Sequence, residues 1–336
     1  MKLSRLGEFG LIQRIQGAMP IGRGVRIGIG DDAAWVENPA GSSLVTADLL
    51  IEGVHFDLKW ISLFELGYKS LAVNLSDIAA MGGVAAYAIL SLGIPAEFDS
   101  RLIDEFYRGV DALAQPNRVA IAGGDTNIAE SLIVSVCVIG HAPYRPVRRA
   151  GAKIGDDIYV TGTVGDSALG LQLLRQHKGR SRNEDVVQLV RRHHLPTPRL
   201  RAGALLAKHR LATAMIDVSD GLMQDLEHIC RASGTGAVIR QADLPLSPAY
   251  RALAGKEGMR HALCGGEDYE LLFCARKKNR ARLEKLGVRA GVAISRIGAC
   301  VTAEKGIVCV GKSQKPVAIL PKGHDHFRRN QRAGSG

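Results

Sequence analysis

Apolar residues recur at helical spacing over residues 63–81, and the run stops at Gly82-Gly83, a pair well suited to closing a helix. Short strands are predicted on either side, at 44–46 and 86–92. A second helix is expected over 99–114, followed by strands at 119–122 and 132–139, the latter rich in β-branched residues. A turn-rich basic segment, 143–155, interrupts the pattern before it resumes. Beyond it the spacing predicts strands at 158–161, 214–216 and 269–274, with short strands onward to 320. Helices are predicted near 166–175, 185–193, 198–208, 221–231 and 277–286. Strands alternating with helices in both halves indicate an α/β (α+β) fold.

At 336 residues the chain exceeds what one hydrophobic core usually holds, so two domains are expected, 1–150 and 151–327. Residues 328–336 have nothing to pack and are expected to be a disordered tail. No stretch approaches the roughly 18 uninterrupted apolar residues of a membrane span. Charges and glycines fill the first ten residues, where a secretory signal needs an apolar run, so a cytoplasmic location is expected. Six scattered cysteines form no C-x-x-C pair and fit reduced, structural thiols. The net charge of +11 is concentrated in 145–153, 175–210 and 276–289, which read as solvated helix faces. Aromatics make up 5% of the chain and do not interleave with these runs, which argues against nucleic acid and for attraction of small anionic substrates.

Carboxylates stand where they are costly, beside glycine or inside apolar runs: Gly30-Asp31-Asp32, Ala47-Asp48, Ser76-Asp77, Gly123-Gly124-Asp125, Asp217-Val218-Ser219-Asp220-Gly221 and Gly266-Glu267-Asp268. A buried ionised carboxylate needs a partner, and none of these segments carries a lysine or arginine. Divalent cations are the natural partners. Magnesium suits best, because it takes one or two carboxylates and keeps phosphate oxygens and water in its other positions.

The segment Gly28-Ile29-Gly30-Asp31-Asp32-Ala33 matches a relaxed dinucleotide-binding turn, but two aspartates there would meet a pyrophosphate with like charge. Asp77 lies in an apolar helix with Asn74 one turn earlier; it is either a metal ligand or a cap on a neighbouring element. Asp125 follows two glycines after a strand, at a phosphate-binding turn or an ordinary one. Asp217, Ser219 and Asp220 lie between a strand and a helix, at the positive end of the helix dipole, and a simple N-cap would use only one of them. In Glu267-Asp268-Tyr269-Glu270, strand alternation would send Glu267 and Tyr269 to one face, so only one acid pair can line a cleft. His55 is either a structural histidine or a site residue.

Together these segments resemble the thiamine-monophosphate kinases, within the superfamily of aminoimidazole ribonucleotide synthetase, selenophosphate synthetase and a hydrogenase maturation protein. The likeness runs from Gly7-Glu8-Phe9 through Gly53-Val54-His55-Phe56 and Asn74-Leu75-Ser76-Asp77 to Lys322-Gly323-His324-Asp325-His326-Phe327. It implies a two-domain fold whose N-terminal domain dimerises through its sheet, a homodimer with ATP in a cleft between domains, and several magnesium ions. The implied reaction is direct in-line transfer from ATP to thiamine monophosphate, giving thiamine diphosphate. By the same resemblance Asp32, Thr46, Asp48, Asp77, Asp125, Asp217 and Asp220 match magnesium ligands, and Asp31 is a neighbour without an assigned role. Gly124, Asp125, Arg149 and Ser219 match ATP-contacting positions, and His55 and Glu267 match positions contacting the thiamine phosphate. The family's aromatic residue near the C-terminus is replaced here by the neighbourhood of Pro321 and His324. The first cysteine is Cys137 and the last residues are Arg332-Ala333-Gly334-Ser335-Gly336, so the reactive cysteines of the selenophosphate and maturation siblings are missing. An aminoimidazole ribonucleotide synthetase-like ligase and a non-catalytic magnesium-nucleotide-binding protein stay open as alternatives.

Overall fold

The computed structural model describes residues 25–311 except 29, 39, 40, 178, 180, 256 and 257, together with 10, 12, 13, 16 and 316. The expected tail at 328–336, the motifs at 7–9 and 322–327, and the stretch 312–320 of the expected strands lie outside the described residues, Pro316 apart.

The first sheet contains β1 (Val25–Ile27), β2 (Ala34–Asn38), β3 (Gly41–Ile51), β4 (Val84–Ile94), β5 (Ala120–Ile128) and β6 (Ile133–His141) in the order β1-β2-β3-β6-β4-β5. All neighbours are antiparallel except β4 and β5. Helix α1 (Leu63–Ala80) packs on β3, β4 and β6, and α2 (Ser100–Asn117) packs on α1. Ser62 and Glu65 form a reciprocal capping box that starts α1, supplying partners for amides the helix leaves unpaired. Gly67 of α1 faces the backbone of Phe106, and Gly109 of α2 faces the backbone of Phe64. A side chain at either position would push the two helices apart.

The second sheet contains β7 (Asp157–Thr161), β8 (Ala212–Asp217), β9 (Gly236–Arg240), β10 (Leu271–Ala275), β11 (Ile294–Val301) and β12 (Ile307–Val310) in the order β12-β9-β11-β7-β10-β8. Only β9 and β12 pair in parallel. Its helices are α3 (Asp166–His177), α4 (Glu184–His194), α5 (Leu200–Lys208), α6 (Leu222–Ser233), α7 (Pro248–Leu253), α8 (Gly258–Cys264) and α9 (Arg280–Ala290). Both faces are covered. Leu272 and Cys274 of β10 join a core with α3, α4 and α6, while Leu271, Phe273 and Ala275 join a second core with α5 and α9. That second core also takes Ala79 and Ala80 of α1, so this one helix ties the two domains together.

The sequence underestimated or missed four strands for identifiable reasons. β3 spans eleven residues rather than 44–46, because Thr46 and Asp48 occupy its inward face and break the apolar alternation. β1 and β2 flank the segment read only as a turn. β5 continues through Gly123-Gly124-Asp125, so Asp125 lies within a strand rather than in a turn after one. The predicted helix at 277–286 begins as a 3-10 turn, Lys277–Asn279, before α9.

Candidate active site

The last turn of α1 holds Ser76 and Asp77, and both side chains leave their own helix. The Thr46 hydroxyl, on β3, donates to Asp77 Oδ2 at 2.5 Å. The Ser76 hydroxyl donates across the domain junction to Asp217 Oδ2 at 2.6 Å, at the end of β8. Arg149, from the segment joining the domains, forks onto Asp32 with Nε at 3.2 Å and Nη2 at 3.0 Å. Oxygens of Asp32, Asp77 and Asp217 thereby lie within 4.8 Å of one another.

Such a cluster is electrostatically expensive. Burial raises the Asp77 carboxyl well above its ordinary value, and Asp48, Asp217 and Asp32 add like charge; its position at the negative end of α1 works in the same direction. Burial, with Asp32 next, raises Asp217 to about 7, and burial raises Asp48 to about 6. Asp31 is raised to about 7 by burial and by Asp32; it accepts the amides of Asp32 at 3.1 Å and Arg149 at 3.3 Å, a local structural bond. Arg149 is the only cation bonded into this trio of carboxylates among the described residues. Hard oxygen donors from three separate elements, mutually repelling and largely shielded from water, fit a divalent ion such as magnesium.

The cluster adjoins a cavity of about 1270 Å³ between the domains. Asp31, Asp32, Thr46, Asp48, His55, Asp77, Arg149, Ser219, Asp220 and Glu267 all line it. Asp217 stands behind it in the carboxylate group. Gly124 and Asp125 do not reach it. They lie on β5, the exposed edge of the first sheet, where Gly124 lets its backbone approach Leu90 and Asp125 accepts from Asn127 at 2.8 Å.

Opposite the aspartates, Glu267 adopts a left-handed backbone and meets Lys69 Nζ at 3.0 Å and His193 Nδ1 at 3.2 Å. Burial would raise its carboxyl, but the charge and hydrogen bond of Lys69 outweigh that and hold it at about 2. Burial and Lys69 lower His193 to about 3, so the ring is neutral and its contact with Glu267 is a hydrogen bond; the charge in the pair belongs to Lys69. The Ile51 amide donates to His55 Nδ1 at 3.0 Å, which puts the neutral ring's proton on Nε2. Tyr269 shares the cavity with Glu267, whereas Asp268 caps the start of α3 and Glu270 binds Arg192 and Arg199. The separation of faces expected here is present, although positive φ at Glu267 and Tyr269 shows that a kinked loop produces it rather than a strand.

At the start of α6 no side chain of Ser219 or Asp220 serves as the cap. Asp225, buried one turn in, accepts the amides of Asp220 at 3.3 Å and Gly221 at 3.0 Å. Asp220, Asp225 and His228 form a second group whose ligand atoms lie within 4.8 Å. Burial, then Arg149, lowers His228 to about 4.

Sequence reasoning missed Lys69, Ser76, His193, Asp225 and His228. One signal was available: Lys69, Val73 and Asp77 recur every fourth residue, and all three line the cavity. Within the basic run expected to be solvated, His193 and His194 are instead buried against the domain junction, with Glu267 and Glu65 bonded to their respective rings.

Comparison with known proteins places this geometry among relatives. Residues 30–142 match the family described as AIR synthase related protein, N-terminal domain, and residues 153–311 match its C-terminal domain. The thiamine-monophosphate kinase of Salmonella typhimurium is 41% identical over 325 residues, covering 96% of this chain and 98% of the relative. That of Bacillus subtilis is 34% identical over 327 residues, covering 96% and 100%. The solved structure of AaThiL complexed with AMPPCP and TMP superposes with a TM-score of 0.85 at 35% identity, covering 97% of this chain and 99% of that one. The Escherichia coli hydrogenase maturation protein HypE shares the fold, with a TM-score of 0.69 at 18% identity, covering 83% and 86%.

Proposed function

The chain belongs to the AIR synthase related family and, within it, to the thiamine-monophosphate kinases, and from that membership we propose that it transfers the γ-phosphoryl group of ATP onto thiamine monophosphate. The products are thiamine diphosphate and ADP. The observation that carries this reading is the convergence of Asp32, Asp77 and Asp217, drawn from both domains, beside a cavity large enough for two phosphorylated ligands.

Donor and acceptor are both polyanions, so their approach is repulsive until cations stand between them. Asp32, Asp77 and Asp217, with Thr46, Asp48 and Asp220 nearby, would hold magnesium, which when bound supplies charge neutralisation and Lewis-acid polarisation of phosphate oxygens. Arg149 is already oriented by Asp32 and lies beside Ser219 and Asp220 in the same wall, where it meets nucleotide phosphates. Glu267, Lys69 and His55 face the acceptor's side of the cavity and fix its position. The acceptor phosphate is ionised near neutral pH, so no strong general base is required. Transfer is direct, with no covalent protein intermediate. Asp125 joins the site from β5 only through closure or assembly, since it does not line the cavity of the single chain.

The working form is a homodimer in the cytoplasm. Support comes from the first sheet, whose face away from α1 leaves Leu49, Tyr87 and Ile89 exposed, and from edge strand β5, exposed along its whole length.

The test is incubation with ATP, magnesium and thiamine monophosphate. Equal amounts of ADP and thiamine diphosphate are expected, while formylglycinamidine ribonucleotide in place of the acceptor yields no ADP above background. ADP formed only with the second acceptor, or with neither, overturns the reading.

A further inference from the structure

The basic stretches that the kinase chemistry leaves unused do not simply face solvent. Parts of all three meet at a second cavity of about 610 Å³ on the C-terminal domain. Arg145, Arg148 and Lys153 come from the segment joining the domains, Arg210 from the end of α5, and Arg276, Lys278 and Arg282 from the start of α9 and the turn before it. No carboxylate lines the cavity among the described residues, and none of these seven cations has a carboxylate partner there. Asp156 lies behind the wall, occupied by the Lys153 amide and the Thr213 hydroxyl. In the wall itself, His209 Nε2 is buried without a hydrogen-bond partner among the described residues.

Cations held close together repel one another, and a concave arrangement strengthens their combined field where a ligand enters. Where arginines cluster elsewhere among the described residues they converge on an acid: Arg280 and Arg296 share Asp157, and Arg192 and Arg199 share Glu270. The contrast marks the second cavity as a place where the missing negative charge is supplied from outside. Its volume falls in the range of small-molecule sites. Guanidinium groups suit tetrahedral phosphate oxygens, and apart from His209 no aromatic ring lines the cavity to stack a base among the described residues.

We propose that this cavity is a second anion site that binds a short chain of linked phosphates, reading charge and spacing rather than a nucleoside. Arg148, in its wall, directly precedes the Arg149 that enters the interdomain cavity, so the two sites share one backbone segment.

Calorimetric titration of inorganic tripolyphosphate into the full chain, in EDTA and at low salt, tests this. The aspartate-lined cavity repels a metal-free polyanion, so the two sites are separated by the buffer. One saturable site per chain is expected, and ATP without divalent metal should bind no more than about threefold differently, since the nucleoside adds no contact. The double variants Arg276→Ala/Lys278→Ala and Arg210→Ala/Arg282→Ala should each weaken binding about tenfold or more, by loss of two phosphate contacts. Arg108→Ala/Arg201→Ala, exposed and outside both cavities, removes the same charge and should change affinity less than about twofold. The substituted side chains are exposed, and if one pair fails to fold the other decides. No saturable binding, equal loss in all three pairs, or binding of ATP but not tripolyphosphate would overturn the proposal.

Discussion

Deleting one charge from the interdomain cluster is expected to stabilise the metal-free protein while abolishing its activity. Asp217 is buried, and its carboxyl is raised from 3.8 to about 7, first by burial and then by Asp32 and Asp48, against the opposing pull of Ser76 and Arg149. The folded state therefore holds this proton more tightly than the unfolded chain does. Its contribution is most favourable below pH 3.8 and is lost as pH rises to about 7. Above that pH the folded protein bears the full cost of an ionised Asp217, roughly 4 kcal/mol at about 1.4 kcal/mol per pH interval. Coulomb's law gives a similar size: two unit charges about 4.8 Å apart repel by about 3.5 kcal/mol at an effective dielectric of about 20. Asp217→Asn removes the charge and keeps an oxygen for Ser76. Allowing for the new amide's own desolvation, a net gain of about 2 kcal/mol is expected, which raises the melting temperature by about 5 °C. The assay is thermal unfolding in EDTA at pH 8 and pH 5. The gap between variant and wild type should shrink to less than half at pH 5, where wild-type Asp217 is largely protonated, and magnesium should raise the melting temperature of the wild type much more than that of the variant. A variant that melts below the wild type at pH 8 without metal, or a gap unchanged at pH 5, would refute the reasoning.

Other perturbations probe the remaining parts of the site. Glu267→Gln deletes the charge paired with Lys69 and should raise KM for thiamine monophosphate about tenfold or more, the size of one charge-assisted contact, with a smaller change in KM for ATP; steady-state kinetics decide, and equal changes count against a role at the acceptor. His193 is held neutral by burial, so its stabilising contribution is present above pH 6.5 and is lost as pH falls toward about 3. Between pH 7 and 5 the wild type should lose about 2 kcal/mol through this group, measured by urea unfolding, and His193→Gln should lose correspondingly less. Tyr87→Asp places a charge on the open face of the first sheet and should convert a dimer to monomers in sedimentation analysis, while an unchanged mass would move the interface elsewhere. Asp77→Asn should leave the protein folded in EDTA by circular dichroism yet reduce turnover about a hundredfold or more; activity and stability falling together would favour a structural Asp77.

Much of this was legible in the chain, and the omissions share a cause. Local signals located α1, because apolar residues at helical spacing run up to the Gly82-Gly83 stop, and they located the buried strands β7, β8 and β10. The aspartates stood out because each breaks an otherwise apolar or glycine-rich stretch. Where a strand carries functional polar groups on its inward face, as β3 does at Thr46 and Asp48, the same feature hid the element's length. Lys69 and His193 escaped notice because a lone base on a helix ordinarily faces water. Their burial depends on Glu267, which is 198 and 74 residues away in sequence and is brought near only by the packing of α1 and α4 around the cavity. The convergence of Arg148, Arg210 and Arg276 is likewise a property of the domain and not of any segment.

The central claim is that separated aspartates come together to hold divalent ions between two phosphate groups. Crystals grown with a nucleotide and manganese in place of magnesium, examined by anomalous scattering, test it most directly. The account predicts manganese peaks bonded to Asp77, Asp217 and Asp32 at about 2.1–2.2 Å, each also touching a phosphate oxygen. Peaks confined to other parts of the surface, with those three carboxylates bonded only to Thr46, Ser76 and Arg149, would contradict it.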